Sequence, residues 1–217
     1  MSVDGVFAGD FVGEVTELGS KVAKLSKGDL IVGLIWGGRS ARSRHGLALF
    51  SKGYLNVDRS KSTGTSVLVW GGSSSVRIVN DSTRFHLGLG RDDHLQSAPD
   101  LVQSYGAKQV FDYNDPEVIE KINEVAPDLR HIFDTIGNGH SSTTSSRAFG
   151  DREGNLCTVR PGKATTEHVT RNAQVTDVLA WTAFWKDHRY ARLHWPASKD
   201  DHELASELFE KLPAWLE

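Results

Sequence analysis

The chain has 217 residues, of which 38% are hydrophobic and 24% charged, with 25 basic against 28 acidic side chains and a net charge of −3. This length holds one large domain or two small ones, and the composition excludes a disordered chain and offers no basic footprint for nucleic acid. One cysteine, Cys157, excludes an internal disulfide and a cysteine-rich zinc site.

No apolar stretch approaches the roughly 18 residues of a membrane span. The start, Met1-Ser2-Val3-Asp4, has no basic-then-apolar leader pattern, so a cytoplasmic address is the default expectation. Residues 3–36 read as strands and turns, with Phe11, Val12, Val15 and Leu18 among Gly9, Gly13 and Gly19. Lys27-Gly28-Asp29 is a turn signal, and Leu30 to Trp36 reads as a buried strand. Residues 37–46 read as a polar, basic loop, either solvated or phosphate-binding. After a linker-like stretch at 61–66, the apolar run Val67-Leu68-Val69-Trp70 enters Gly71-Gly72-Ser73-Ser74-Ser75-Val76 directly. A strand entering a glycine-rich turn opens a nucleotide-binding βαβ unit, because glycines let the backbone approach a pyrophosphate and the next helix aims its N–H groups there. A flexible Gly/Ser surface turn is the alternative at this point.

Further along, Leu101 to Gly106 reads as a helix end capped by glycine, and Val110 to Tyr113 as a short strand. Pro116 to Val125 carries Val118, Ile119, Ile122 and Val125 at helical spacing. His131 to Gly137 reads as strand then turn, Ser141 to Phe149 as a polar helix and Gly154 to Val159 as another strand. Asp201 to Leu212 places Leu204, Leu208 and Leu212 on one helical stripe. Strands alternating with helices predict an α/β fold, a parallel sheet with helices on both faces.

Residues 77–94 break this pattern. They show neither a helical apolar stripe nor a clean strand, Gly88 and Gly90 interrupt any helix, and Arg77 stands where a close-approach glycine is expected. Back-translating residues 77–98 and dropping the first base permits GSSTIQLA and, further on, a strand ending in Ser-Pro-Arg. The expectation is a segment coded out of frame, with the frame restored near Asp100.

The chain resembles the fungal medium-chain dehydrogenases/reductases, in the zinc-binding-alcohol-dehydrogenase-like group that includes trans-enoyl reductases and quinone oxidoreductases. The resemblance is carried by Gly9 to Val15, Lys27-Gly28-Asp29, Val67 to Val76, Tyr105-Gly106-Ala107, Val110 to Asn114, Phe133 to Gly137 and the C-terminal run from Cys157 through Ser198. It implies part of a GroES-like β domain over 1–60 and a Rossmann-like NADP(H)-binding domain over 61–217. It also implies that the chain lacks the beginning of the first domain and the strands that close it. Gly71, Gly72, Ser73, Ser74, Ser75 and Val76 would line the cofactor phosphates, and Tyr113 would pack near the adenosine 2′-phosphate. Thr135, Ile136, Gly137, Val159 and Arg160 would lie toward the nicotinamide. The implied activity is NADPH-dependent reduction of an enoyl, quinone or alkenal small molecule without zinc, with no nucleic-acid or membrane partner and with a homodimer formed through paired sheets. The alternative is a non-catalytic truncated remnant with impaired cofactor binding. No catalytic residue is assigned.

The nine histidines show no tight ligand spacing, so no metal site is expected. Cys157 reads as core, Asp187-His188 and Asp200-Asp201-His202 as surface charge, and Trp181, Trp185 and Trp195 as core or subunit packing.

Overall fold

The computed structural model describes residues 10–34, 41–59, 65–71, 84–89, 103 and 107–216. Two compact units divide between Arg42 and Ser43, so residues 43–59 fall with the second unit.

In the first unit, β1 (Asp10–Glu14) pairs antiparallel with β2 (Leu30–Leu34), Val12 opposite Val32. The ladder continues beyond Glu14 through Val15 N–H to Asp29 O and Gly28 N–H to Val15 O, both 2.9 Å. Gly28 takes a φ of +96°, open to glycine without a Cβ penalty, which makes Lys27-Gly28-Asp29 the turn its residues suggest. The strand from Leu30 is not buried at its start, however: Leu30 is 80% exposed. Length and branching mark strand character, and neither reports which face is covered.

The second unit is built on six parallel strands in the order β5-β4-β3-β6-β7-β8. These are β3 (Ser66–Trp70), β4 (Arg84–Leu89), β5 (Gln109–Asp112), β6 (His131–Asp134), β7 (Gly154–Thr158) and β8 (Ala173–Asp177). Counted from β3, this is the 3-2-1-4-5-6 order of a doubly wound dinucleotide-binding sheet. Successive residues point to opposite faces and fill two cores. Val67, Val69, Phe133 and Cys157 face Leu47, Leu49, Leu55 and Val178 on one side. Leu68, Trp70, Ile132 and Leu156 face Val118, Ile122, Leu129 and Phe149 on the other. Burial on both faces is why β3 reads as an unbroken apolar run.

Helix α1 (Ala41–Phe50) replaces the loop expected over 37–46, whose residues 37–40 lie outside the described residues. The basic residues obscure an apolar end, Leu47-Ala48-Leu49, that is at most 2% exposed. Helix α2 (Val118–Val125) follows Pro116 and buries Val118 and Ile122. The polar helix α3 (Gly139–Ser146) follows β6, and α4 (Lys199–Leu216) contains the helix expected from Asp201 to Leu212. A short hairpin, β9 (His188–Tyr190) with β10 (Leu193–Trp195), precedes α4.

Strand β4 corrects the reading of residues 77–94 as lacking a strand. With the sequence as it stands, Leu87 sits opposite Val69 on one side and Val110 on the other. Pairing on both edges satisfies its backbone groups, and that context outweighs Gly88. The remainder of the segment, including Arg77 and Ser97-Ala98-Pro99, and the expected helix end at 101–106 apart from Gln103, lie outside the described residues.

Two further expectations are corrected, and a third is narrowed. Asp201 is 4% exposed, not surface charge: its carboxylate accepts hydrogen bonds from Ser51 Oγ at 2.6 Å and Tyr54 Oη at 3.4 Å. His188 is likewise 4% exposed. Of the two readings of Trp185, core or subunit packing, the core one does not hold, since Trp185 is 54% exposed and stacks on the His202 ring at 5.7 Å.

Candidate functional site

Three loops converge at the carboxyl ends of β3, β6 and β7, where the strand order reverses between β3 and β6. Ligands of open α/β sheets bind at such a crevice. The first loop begins at Gly71, with a φ of +89°. A Cβ at this position would stand 2.6 Å from both Thr135 Oγ1 and Ile136 Cγ1, so only glycine lets the backbone pass here. Gly72, Ser73, Ser74, Ser75 and Val76 lie outside the described residues.

The second loop is Thr135-Ile136-Gly137. Its start is tied to β3, because Thr135 N–H donates to Trp70 O at 2.9 Å and the Thr135 hydroxyl lies 2.9 Å from the carbonyls of Trp70 and Gly71. Its end is Gly137, with a φ of +65°, where a Cβ would meet Arg160 Cγ at 2.7 Å and Val159 Cγ2 at 3.1 Å. The third loop begins at Val159 and Arg160. Val159 N–H donates to Asp134 O, continuing the β6–β7 ladder, and Arg160 Nε donates to Gly137 O at 2.6 Å. Thr165 Oγ1 donates to the same carbonyl at 3.1 Å.

The structure therefore brings Gly71, Thr135, Ile136, Gly137, Val159 and Arg160 to one edge. Tyr113 lies apart from them, after β5, with its ring stacked on Trp70 at 6.0 Å and an interplanar angle of 27°. Trp70 carries that contact back to β3, the strand from which Gly71 leaves.

Sequence reading missed Asp134. It is completely buried, and its carboxylate accepts from Ile136 N–H, Gly137 N–H, Ser141 Oγ and Ser142 Oγ. The available signal was an acid ending an apolar strand just before Thr-Ile-Gly and a serine-rich helix. Asn138 caps that helix by accepting from His140 and Ser141 N–H.

Cys157 lies beneath this edge with no exposed surface. Burial pushes its thiol up to about 12, so no thiolate nucleophile is available at neutral pH. Among the described residues, no three His, Cys, Asp or Glu side chains gather as a metal site. Also among them, no helix is long and apolar enough to cross a membrane. The arrangement offers close-approach backbone, a fixed turn and an aromatic surface, which suit holding an extended ligand across the sheet edge.

No family model matches the chain. In sequence it is similar to the trans-enoyl reductase ACTTS2 of Alternaria alternata, at 29% identity over 149 residues, covering 67% of this chain and 41% of that protein. It is also 37% identical over 83 residues to the trans-enoyl reductase himH of Aspergillus japonicus, covering 36% of this chain and 23% of that one. The chain thus spans well under half the length of these curated relatives. In fold it is similar to the mitochondrial 2-enoyl thioester reductase Etr1p/Etr2p heterodimer of Candida tropicalis, with a TM-score of 0.65 at 16% identity, covering 96% of this chain and 68% of that one. It is similar also to the Escherichia coli quinone oxidoreductase complexed with NADPH, with a TM-score of 0.59 at 17% identity, covering 98% and 72%. The likeness to fungal trans-enoyl reductases that the sequence motifs carry, and the α/β fold they imply, are both borne out.

Proposed function

We propose that this chain carries the NADP(H)-binding part of a reductase of enoyl, quinone or alkenal type that works without zinc. The observation that carries the reading is the cradle at Gly71: a backbone at φ +89° with no room for a Cβ, at the end of the central strand and beside the strand-order reversal. That is the tight turn by which the first glycine of a dinucleotide-binding loop leaves its strand. The relatives named trans-enoyl reductases and the NADPH complex among the fold's neighbours support the same reading.

In this reading Gly71, Gly72, Ser73, Ser74, Ser75 and Val76 hold the cofactor phosphates. Tyr113, stacked on Trp70, lies toward the adenosine 2′-phosphate. Thr135, Ile136, Gly137, Val159 and Arg160 form the nicotinamide end. When bound, the reduced nicotinamide supplies the hydride to an activated double bond or a quinone. The chain's own residues bind and orient. The Thr135 hydroxyl is engaged by main-chain carbonyls and acts as a strut rather than a proton donor, and the turn after β6 presents a fixed surface. Residues 1–60 carry the partial GroES-like part, of which residues 43–59 pack with the cofactor domain formed by residues 61–217, and the protein is a cytoplasmic homodimer.

Thermal unfolding with and without NADPH tests this. Binding to the native state at a hundredfold excess over Kd adds about 2.7 kcal/mol of stability and raises Tm. No rise at millimolar NADPH would overturn the reading in favour of a non-catalytic chain with impaired cofactor binding.

A further inference from the structure

We infer that Asp134 is the positioning residue of the nicotinamide end, acting through the Thr135-Ile136-Gly137 turn rather than by touching the cofactor. The inference rests on the cofactor reading above and adds to it a residue outside the pocket lining.

A buried carboxylate is costly unless its oxygens are met by donors. Asp134 has no exposed surface and meets four. Oδ1 takes Ile136 N–H at 3.0 Å and Gly137 N–H at 2.9 Å. Oδ2 takes Ser141 Oγ at 2.7 Å and Ser142 Oγ at 2.6 Å. One oxygen thus holds the turn, and the other holds the first residues of α3. The Gly137 peptides are fixed from the opposite direction as well, because Gly137 O accepts from Arg160 Nε and Thr165 Oγ1. The turn's other end is tied to β3 by Thr135. A segment fixed at its donors and its acceptors holds one geometry before any ligand arrives, and such preorganisation lowers the cost of binding. In the cofactor reading the adenosine end is built from different parts, the Gly71 loop and Tyr113, whereas the four donors to Asp134 named above all lie between Ile136 and Ser142.

That separation makes the test selective. Asp134→Asn keeps the volume but removes the charge and turns one acceptor into a donor, so the charge-assisted bonds to the turn amides weaken and the serine hydroxyls must rotate to accept. Titrations with two probes are compared: NADPH, and 2′-phospho-ADP-ribose, which has the adenosine half and both bridging phosphates but no nicotinamide. The expected result for Asp134→Asn is roughly tenfold weaker NADPH binding, with the fragment within twofold of wild type, and faster hydrogen exchange at the Ile136 and Gly137 amides. If Asp134→Asn does not fold, Ser142→Ala removes a single donor and is expected to show the same selectivity at smaller size. Equal loss of both probes would mark a merely structural role and overturn the inference, as would unchanged NADPH affinity in a folded variant. A wild-type protein that binds neither probe would instead overturn the cofactor reading, and the inference with it.

Discussion

The hydroxyl of Thr135 bonds at 2.9 Å to the carbonyl of Gly71, a residue 64 positions earlier in the chain. The contact lies where a Cβ on Gly71 would intrude, so the two loops at the head of the sheet have been fitted to each other's backbone. Gly71→Ala therefore meets two obstacles, a left-handed φ of +89° and overlap with Thr135 and Ile136. The expected loss is about 2–4 kcal/mol from backbone strain and overpacking together. Urea unfolding measures it, and a variant as stable as wild type would show that the loop relaxes freely.

Ser51 and Asp201 meet across the core at 2.6 Å. Ser51→Ala leaves a buried carboxylate with only the long 3.4 Å contact from Tyr54, at an expected cost of about 1.5–3 kcal/mol. Ser51→Ala in an Asp201→Ala background is expected to cost much less, and a double-mutant cycle gives the coupling. Additive losses would refute a specific pair.

His131, at the start of β6, is partly buried, its Nδ1 has no hydrogen-bond partner among the described residues, and both burial and Arg130 hold its pKa below the usual 6.5. The unfolded chain therefore binds a proton before the folded one does. Its contribution to stability is fully present above about pH 6.5 and declines as pH falls from there to the lowered folded value. Urea midpoints from pH 8 to pH 5 are expected to fall, and His131→Gln to flatten the slope. An identical slope in the variant would remove His131 from the account.

Cys157 offers a readout of the core itself. Without exposed surface, and with its thiol up to about 12, it is expected to resist Ellman's reagent in the native protein and to react at once in denaturant. Rapid native-state labelling would mean that the sheet opens at β7.

Much of the second unit was legible because its strands are buried on both faces. Val67 to Trp70 and Ile132-Phe133 are apolar stretches in their strands, and α2 shows its stripe at Val118 and Ile122. The turn residues Gly71 and Gly137 were legible for a different reason, since each needs a φ that other residues avoid. Strand β4 was not legible, because its identity comes from the neighbours that pair with it and not from its own side chains. Helix α1 was hidden by the arginines at its start, although Leu47 to Leu49 at its end are core. Asp201 and His188 read as surface because charge is usually solvated, and the hydroxyl of Ser51, which makes burial of Asp201 tolerable, lies far away in sequence. Asp134 escaped for a similar reason. Its importance lies in what donates to it.

The strand order has a consequence for how the sheet is joined. Strands β3, β4 and β5 come from one continuous stretch of chain, and β6, β7 and β8 from the next. Each trio is assembled from consecutive neighbours, whereas the seam between them is the β3–β6 ladder, locked at its head by the Thr135 hydroxyl and formed by residues far apart in sequence. A ligand laid across that seam has chain from both stretches beneath it and clamps the joint from above.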